Sequence, residues 1–332
     1  MRNPETATLD MYALLRSVSR TFALSIEQLP ALLRETVTIA YLLFRVADCI
    51  EDHPDLSREQ KARLLRLWAD ILSGNAAVEV LIHDLKNLDA SDPEVAVALR
   101  ADAILTHMHA LHVEPSRILR QHVKETALGM ARWQDRGPYV NNEAEMDDYM
   151  HEVAGRVGYL LTDIFSWYAP SIRALRDFLM PRAREFGLAL QTVNIIRGMR
   201  KDFERGWVFV PESFCAREGL SRENLFDPAY KARALNVVAA LAEKALRHLH
   251  SGLSYIMLLP RLERRIRLFC IWPLMFAAKT LAISRNNPAV LSAEAKITRQ
   301  QVKAIVFYSR LFSWSNFFLR AYFNSLLKLE RA

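Results

Sequence analysis

A chain of 332 residues, 51% of them apolar, carries enough hydrophobic mass for a continuous core in one large domain or two average ones. Its 44 basic against 37 acidic residues leave a formal charge of +7. That balance points to phosphorylated small molecules or a lipid surface, and no nucleic acid is expected, because zinc-finger spacing, a K/R-rich tract and an RNA-binding signature are all missing. The three cysteines, Cys49, Cys215 and Cys270, form no C-x-x-C pair and suggest no disulfide framework. The opening Met-Arg-Asn-Pro-Glu-Thr-Ala has no apolar h-region, so a cytoplasmic location is expected.

With only 10 glycines and 13 prolines, long helices are favoured over many short strands. Apolar residues recur at three- and four-residue intervals along nearly the whole chain. The pattern predicts helices over 8–24, 30–52 and 57–73, the third opened by Ser57 with Gln60 three residues on, a capping box. Further helices are predicted over 76–87, 93–110, 116–133, 143–167, 171–203, 230–258, 261–285 and 297–328. Pro170 and Pro181 should break or bend the stretch between 167 and 185. Breakers gather at 135–142 and again at 205–228, which reads as the longest non-helical segment, either a lid or a surface connection. No linker-like composition or repeat divides residues 1–332, which therefore read as a single all-α domain. Residues 305–329 are crowded with Phe, Tyr, Trp and Leu, interrupted by Arg310, Arg320 and Lys328. They read either as a closing helix packed on the core or as an interfacial helix in peripheral contact with a membrane. The longest uncharged run nearby, Leu268–Ala278, falls short of the ~18 residues a bilayer demands.

Two helices carry the polar chemistry. In Tyr41-Leu-Leu-Phe-Arg45-Val-Ala-Asp48-Cys-Ile-Glu51-Asp52 the three acids fall within about 100° of one helix face, with Tyr41 and Arg45 on the same side. Carboxylates so crowded repel one another unless a cation shares them, and hard oxygen donors suit Mg²⁺ completed by water and substrate phosphate. The run Thr36–Ala47 has Arg45 as its only charge, which argues for a buried helix rather than a solvated acidic end. On the second helix Gln191, Asn194, Gly198 and Asp202 share a face, and Lys201 borders it within reach of a phosphate. A glycine in mid-helix costs ~1 kcal/mol against alanine, so Gly198 marks either tight packing or space left open.

These residues resemble the squalene/phytoene synthases, head-to-head prenyl transferases. The resemblance runs from about residue 10 to 285. It rests on Ser19-Arg20-Thr21-Phe22, on Tyr41–Asp52, and on Tyr149-Met-His-Glu-Val-Ala-Gly-Arg-Val-Gly158. It continues through Gln191–Asp202 with Arg205-Gly206-Trp207-Val-Phe-Val-Pro211, and ends with Phe269-Cys270-Ile-Trp-Pro273, which looks more like the squalene branch. The resemblance implies an isoprenoid synthase fold, with helices around a central apolar cavity. It also implies Mg²⁺-dependent condensation of two farnesyl diphosphates to presqualene diphosphate, followed by NADPH-dependent reduction to squalene. Carried over by position, Asp48, Asp52 and Asp202 would be catalytic and metal-binding, with Glu51 and Asn194 completing the metal set. Tyr149 would remove a proton or steer a cation. Ser19, Thr21, Tyr41, Arg45 and Gln191 would bind substrate, joined by Lys201, which the family pattern does not carry and whose ammonium can meet a phosphate.

One departure stands out against the family's usual N-x-x-R-D-x-x-E-D. This chain reads Asn194-Ile-Ile-Arg197-Gly198-Met-Arg-Lys201-Asp202, so two negatives are lost and one positive gained. Glu204 lies on the far side of the helix and offers no easy compensation. The altered helix leaves three readings open. The chain is a squalene synthase-type transferase, a homologue that binds prenyl diphosphate or a partner without turnover, or an enzyme that passes one prenyl group to a different acceptor.

Overall fold

The computed structural model describes residues 10–328; the start of the chain, read above for a leader, and residues 329–332 lie outside them. The fold is all-α, as expected. Among the described residues there is no strand, only an isolated parallel bridge between Tyr139 and Val208. Contacts divide the chain into two compact units, Met1–Asp135 and Arg136–Ala332.

The first unit begins with α1 (Met11–Val18) and α2 (Arg20–Ile26), which the periodicity had joined. Ser19 separates them. Its backbone is extended, its N–H bonds Leu15 O at the end of α1, and its Oγ accepts from Phe22 N at 3.2 Å to cap α2. The central α3 (Ala31–Asp52) packs against α4 (Arg58–Leu72), α6 (Pro93–Ala98) and α7 (Ala101–Ala110), with α5 (Val78–Leu85) bridging the last three. Its core face includes Leu33, Val37, Ala40, Leu43, Ala47 and Ile50, all nearly inaccessible. It stops where His53 turns extended before Pro54, since a residue preceding proline is pushed out of the helical region. Ser57 and Gln60 form the expected capping box on α4. The segment 93–110 is two helices rather than one, because Arg100 leaves the helical region. The unit closes with α8 (Val113–Arg136).

In the second unit, α9 (Glu143–Met150) runs through a π-helical turn, His151–Gly155, into α10 (Arg156–Tyr168). Pro170 opens the short α11 (Pro170–Arg173), whereas Pro181 sits inside the long α12 (Arg176–Glu204) instead of breaking it. The segment 205–228 is not wholly irregular, since it holds α13 (Glu212–Arg217). Nor is it free: Val208 N bonds Pro138 O, Glu212 N bonds Val140 O, and Ser213 N bonds Asn141 O. The two breaker-rich stretches of the sequence are thus tied to each other, and the surface-connection reading fits this segment better than the lid. Beyond them, α14 (Lys231–Leu258) and α15 (Arg264–Ser284) pack on α12, followed by α16 (Arg299–Phe312) and α17 (Asn316–Leu326). These last two were expected as one helix, but Ser315 caps α17 by accepting from Phe318 N.

The run Leu268–Ala278 belongs to α15, which is long and apolar enough by length and composition to cross a membrane. Its apolar window is 83% buried within the protein, which makes it a core helix of this unit.

Candidate active site

On α3 a single guanidinium organises the polar stripe. Arg45 Nη2 donates to Tyr41 Oη at 2.5 Å, and Nη1 donates to Glu94 Oε1 at 2.9 Å while lying 3.6 Å from Asp48 Oδ2. The Phe22 ring meets Tyr41 at 5.7 Å, which brings the Ser19–Phe22 segment to the same place. There Thr21 is exposed and Ser19 Oγ serves as the helix cap. Glu94 was not read from the sequence. It stands 49 positions from Arg45, in an Asp92-Pro-Glu94 helix start whose only local signal is a cap.

The electrostatics follow from this packing. Burial pushes the Asp48 carboxyl up to about 6; Arg45 opposes the rise, while Asp52 and Glu94 add to it. Burial works against the Arg45 charge, yet Asp48, Tyr41 and Glu94 outweigh it and hold the guanidinium above its ordinary value. A cation placed at Asp48 and Asp52 would relieve the crowding that the carboxyls feel without one.

The structure does not build three acids into a ready-made cage. Among the described residues no group of three His, Cys, Asp or Glu could hold a metal. Glu51 is only 8% exposed, whereas Asp52 is open to solvent. Mg²⁺ asks for few protein oxygens and leaves the rest to water and phosphate, so the Asp48–Asp52 pair one helical turn apart still fits it. A polar cleft of about 940 Å³ lies beside the N-terminal half of α3, between Tyr12, Arg16, Arg34, Thr38 and His107. None of the site residues expected from the sequence lines it, and the chemistry of α3 lies further along the helix.

In the second unit, α12 presents Gln191 half-buried, Asn194 and Lys201 exposed, and Asp202 largely covered. Asp202 Oδ1 accepts from Arg205 Nη2 at 2.6 Å, a partner the sequence reading quoted without a role. Glu204 pairs with Arg200 at 2.7 Å. A Cβ placed on Gly198 would meet only Asp202 Oδ2, at 3.9 Å, so of the two explanations for this glycine the open-space one holds. With Asp202 engaged by an arginine and no donor at Gly198, this face does not fit a second Mg²⁺ centre.

Tyr149 is 5% exposed and stacked on Phe209, with ring centroids 4.4 Å apart and planes 16° apart; Phe209 stacks in turn on Trp207 at 5.3 Å. Trp207 is anchored through its backbone N–H to the Asp202 carbonyl O at 2.9 Å, which links the aromatic stack to the end of α12. The α9–α10 rod that carries Tyr149 is pressed onto α12 through glycines. A Cβ at Gly158 would lie 2.1 Å from Ala183 O, and one at Gly187 2.3 Å from Ala154 O. The Tyr149–Gly158 motif is therefore partly a backbone-contact device.

The squalene/phytoene synthase family profile matches residues 15–301. The squalene synthase ERG9 of Candida albicans (strain SC5314) is 31% identical over 90% of this chain and 66% of its own length. The squalene synthase of Homo sapiens is 28% identical over 89% of the chain and 68% of its own length. Among solved structures, the complex of TcSQS with the ligand BPH1237 superposes with a TM-score of 0.82 at 26% identity, covering 95% of this chain and 90% of that one. The chain spans about two thirds of the length of the curated relatives it matches. Its all-α architecture is the isoprenoid synthase fold. By the extent of the profile match, the chain belongs to the squalene/phytoene synthase family.

Proposed function

We propose that this chain joins two farnesyl diphosphates head to head, with Mg²⁺, to give presqualene diphosphate, and carries it on to squalene when NADPH is supplied. The observation that supports this reading most is the Arg45 hub beside Asp48 and Asp52 on α3. The two compact units are proposed to act as one domain, placed in the cytoplasm and peripherally at a membrane surface.

Asp48 and Asp52, with Glu51 behind them, would hold a Mg²⁺ that neutralises charge on the departing diphosphate. Arg45 is already fixed by Tyr41 and Glu94, so it can meet a diphosphate oxygen with little ordering cost. Ser19, Thr21 and Tyr41 offer hydroxyls to the same group. On α12, Gln191, Asn194 and Asp202 keep the family's polar positions, and the Lys201 ammonium meets phosphate directly where an acid-held metal would otherwise do so. Tyr149 Oη is assigned to take the proton whose loss closes the cyclopropane while passing its own phenolic proton on to the released diphosphate. Its ring is fixed face to face by Phe209, and the stacked rings offer π faces to an allylic cation while excluding water.

A second reading is favoured by the Asp202–Arg205 pair, which engages the acid that α12 keeps on its Gln191–Asp202 face. In it the chain binds prenyl diphosphate without turnover, or transfers one prenyl group to another acceptor. Incubating the protein with farnesyl diphosphate and Mg²⁺, with and without NADPH, separates the readings. Diphosphate release with a C30 product, reduced about 100-fold by Asp48→Asn, supports head-to-head condensation. Tight binding with no release, or release only on adding a different acceptor, refutes it. Restoring the family pattern by Gly198→Asp with Lys201→Glu should tighten Mg²⁺ dependence. If neither metal affinity nor rate rises, the assignment of Lys201 is wrong.

A further inference from the structure

Two neighbouring turns of the second unit expose large apolar side chains ringed by arginine. The first turn joins α14 to α15, where Leu262 is 94% exposed among Arg261, Arg264 and Arg265. The second joins α16 to α17, where Trp314 is 51% and Phe317 86% exposed. They are neighbours because the fully buried Arg267 ties them together. Its Nη1 donates to Ile256 O and Leu259 O at 2.7 and 2.6 Å, its Nε to Ser313 O at 2.9 Å, and its Nη2 to Asn316 Oδ1 at 2.7 Å. Asn316 Nδ2 donates back to Met257 O at 3.0 Å.

The exposed strip continues along α16 through Leu311, three residues before Trp314, and Phe307, four residues before Leu311, and so on one helix face, with Lys303 and Arg310 on its edges. Nothing in the core requires these rings outside. The helices are held from within by Ile305, Ser309, Leu319 and Phe323, all almost inaccessible.

The charge says what the strip meets. From residue 299 to 328 the chain has five Lys or Arg and no Asp or Glu. In the adjoining turn the single acid, Glu263, is occupied by Ser171 Oγ at 3.0 Å. Apolar tips that reach into acyl chains, beneath cations that meet headgroups, complement an anionic bilayer. A protein interface of this kind would be expected to deplete charge at its apolar centre rather than surround it with one sign.

We propose that the α14–α15 and α16–α17 turns, with the exposed face of α16, dock this protein on an anionic membrane surface. Leu262, Trp314 and Phe317 insert, and Arg261, Arg264 and Arg265 hold the headgroups. The proposal deepens the peripheral placement given above and is independent of the reaction. The expected docking is reversible and weakens as salt screens the arginines.

The test is co-sedimentation of the purified protein with phosphatidylcholine vesicles and with vesicles containing phosphatidylserine. The wild type should pellet with the anionic vesicles and at least ~10-fold less with the neutral ones. Leu262→Ser with Phe317→Ser should lower partitioning ~10-fold or more, and Arg261→Ser, Arg264→Ser, Arg265→Ser should erase the preference for anionic lipid. All five positions are exposed, and unchanged thermal melts would show that the variants fold. Failure of the wild type to bind either vesicle, or variants that bind as well as it does, overturns the proposal. So does a concentration-dependent dimer that the serine variants abolish without any vesicle binding, which would assign the face to a second copy of the chain. Diphosphate release from detergent-dispersed farnesyl diphosphate, read on the same variants, reports on the reaction separately.

Discussion

Arg45 shows how far single residues determine what a half-buried face can do. Its charge is useful to a phosphate only if the side chain is held, and Glu94 holds it from another helix at 2.9 Å. Glu94→Gln should keep the fold and weaken that hold, lowering kcat/KM for diphosphate release about 10-fold, while Tyr41→Phe on top of it should cost less than its effect alone if both act through Arg45. Steady-state kinetics on the three variants reads this directly. Gly198 makes the opposite case, a position where nothing is held. Because an added Cβ meets only Asp202 Oδ2 at 3.9 Å, Gly198→Ala should stabilise the protein by about 0.5–1 kcal/mol through helix propensity, measured by urea unfolding. A destabilised alanine variant would mean that the glycine is kept for a packing reason after all. From the sequence the Tyr41–Asp52 stripe was legible because helical spacing alone puts those residues together. Glu94 was not, because nothing local marks a partner 49 residues away.

Among the elements, long helices with strong punctuation were the readable part. The end of α3 follows from Pro54 and the start of α4 from its capping box. Serines at the breaks between helices were invisible: Ser19 both ends α1 and begins α2, whereas Ser313 ends α16 and Ser315 begins α17. The apolar period runs through Ser19 and Ser315 unbroken, and only the backbone geometry reveals that the helix stops there. Pro181 misled in the other direction, since α12 absorbs it. The π-helical turn at His151–Gly155 was equally unreadable, because it is set by the contact of α9 and α10 with α12 rather than by local propensity. That contact has little tolerance. A methyl group on Gly158 would sit 2.1 Å from the Ala183 carbonyl oxygen, so the two backbones must separate to admit it. Gly158→Ala is expected to destabilise the protein by about 2–3 kcal/mol, and to lower turnover further by shifting Tyr149 relative to Asp202. Thermal melting reads the first effect; turnover under conditions where the variant is fully folded reads the second.

For the molecule as a whole, pH tests whether the second unit's polar network carries its share of stability. Lys244, 1% exposed, lies 3.1 Å from Glu143 Oε1 and 2.5 Å from Asp147 Oδ1, and the His248 ring nitrogen lies 2.6 Å from Glu185 Oε2. These contacts clamp α9 and α12 to α14. The hydrogen bond from His248 holds the Glu185 carboxyl below its ordinary 4.5; burial works against it, and the charges of His248 and Arg184 add to it. A carboxyl whose folded value lies below its unfolded one stabilises fully at pH values above the unfolded value. That contribution fades as the pH falls through the folded value, because the unfolded chain then binds the proton more readily. Glu185→Gln should therefore cost about 1 kcal/mol at pH 7, a modest figure because the side chain remains 31% exposed. The difference from wild type should shrink toward zero as the pH falls below the ordinary 4.5 and through the lowered folded value. In paired melts that is a gap of roughly 2–4 °C closing on acidification. If the gap does not close in acid, Glu185 acts through packing rather than charge, and the charged share of the clamp on α14 has to be assigned to Lys244 and its two acids, which join α14 to α9.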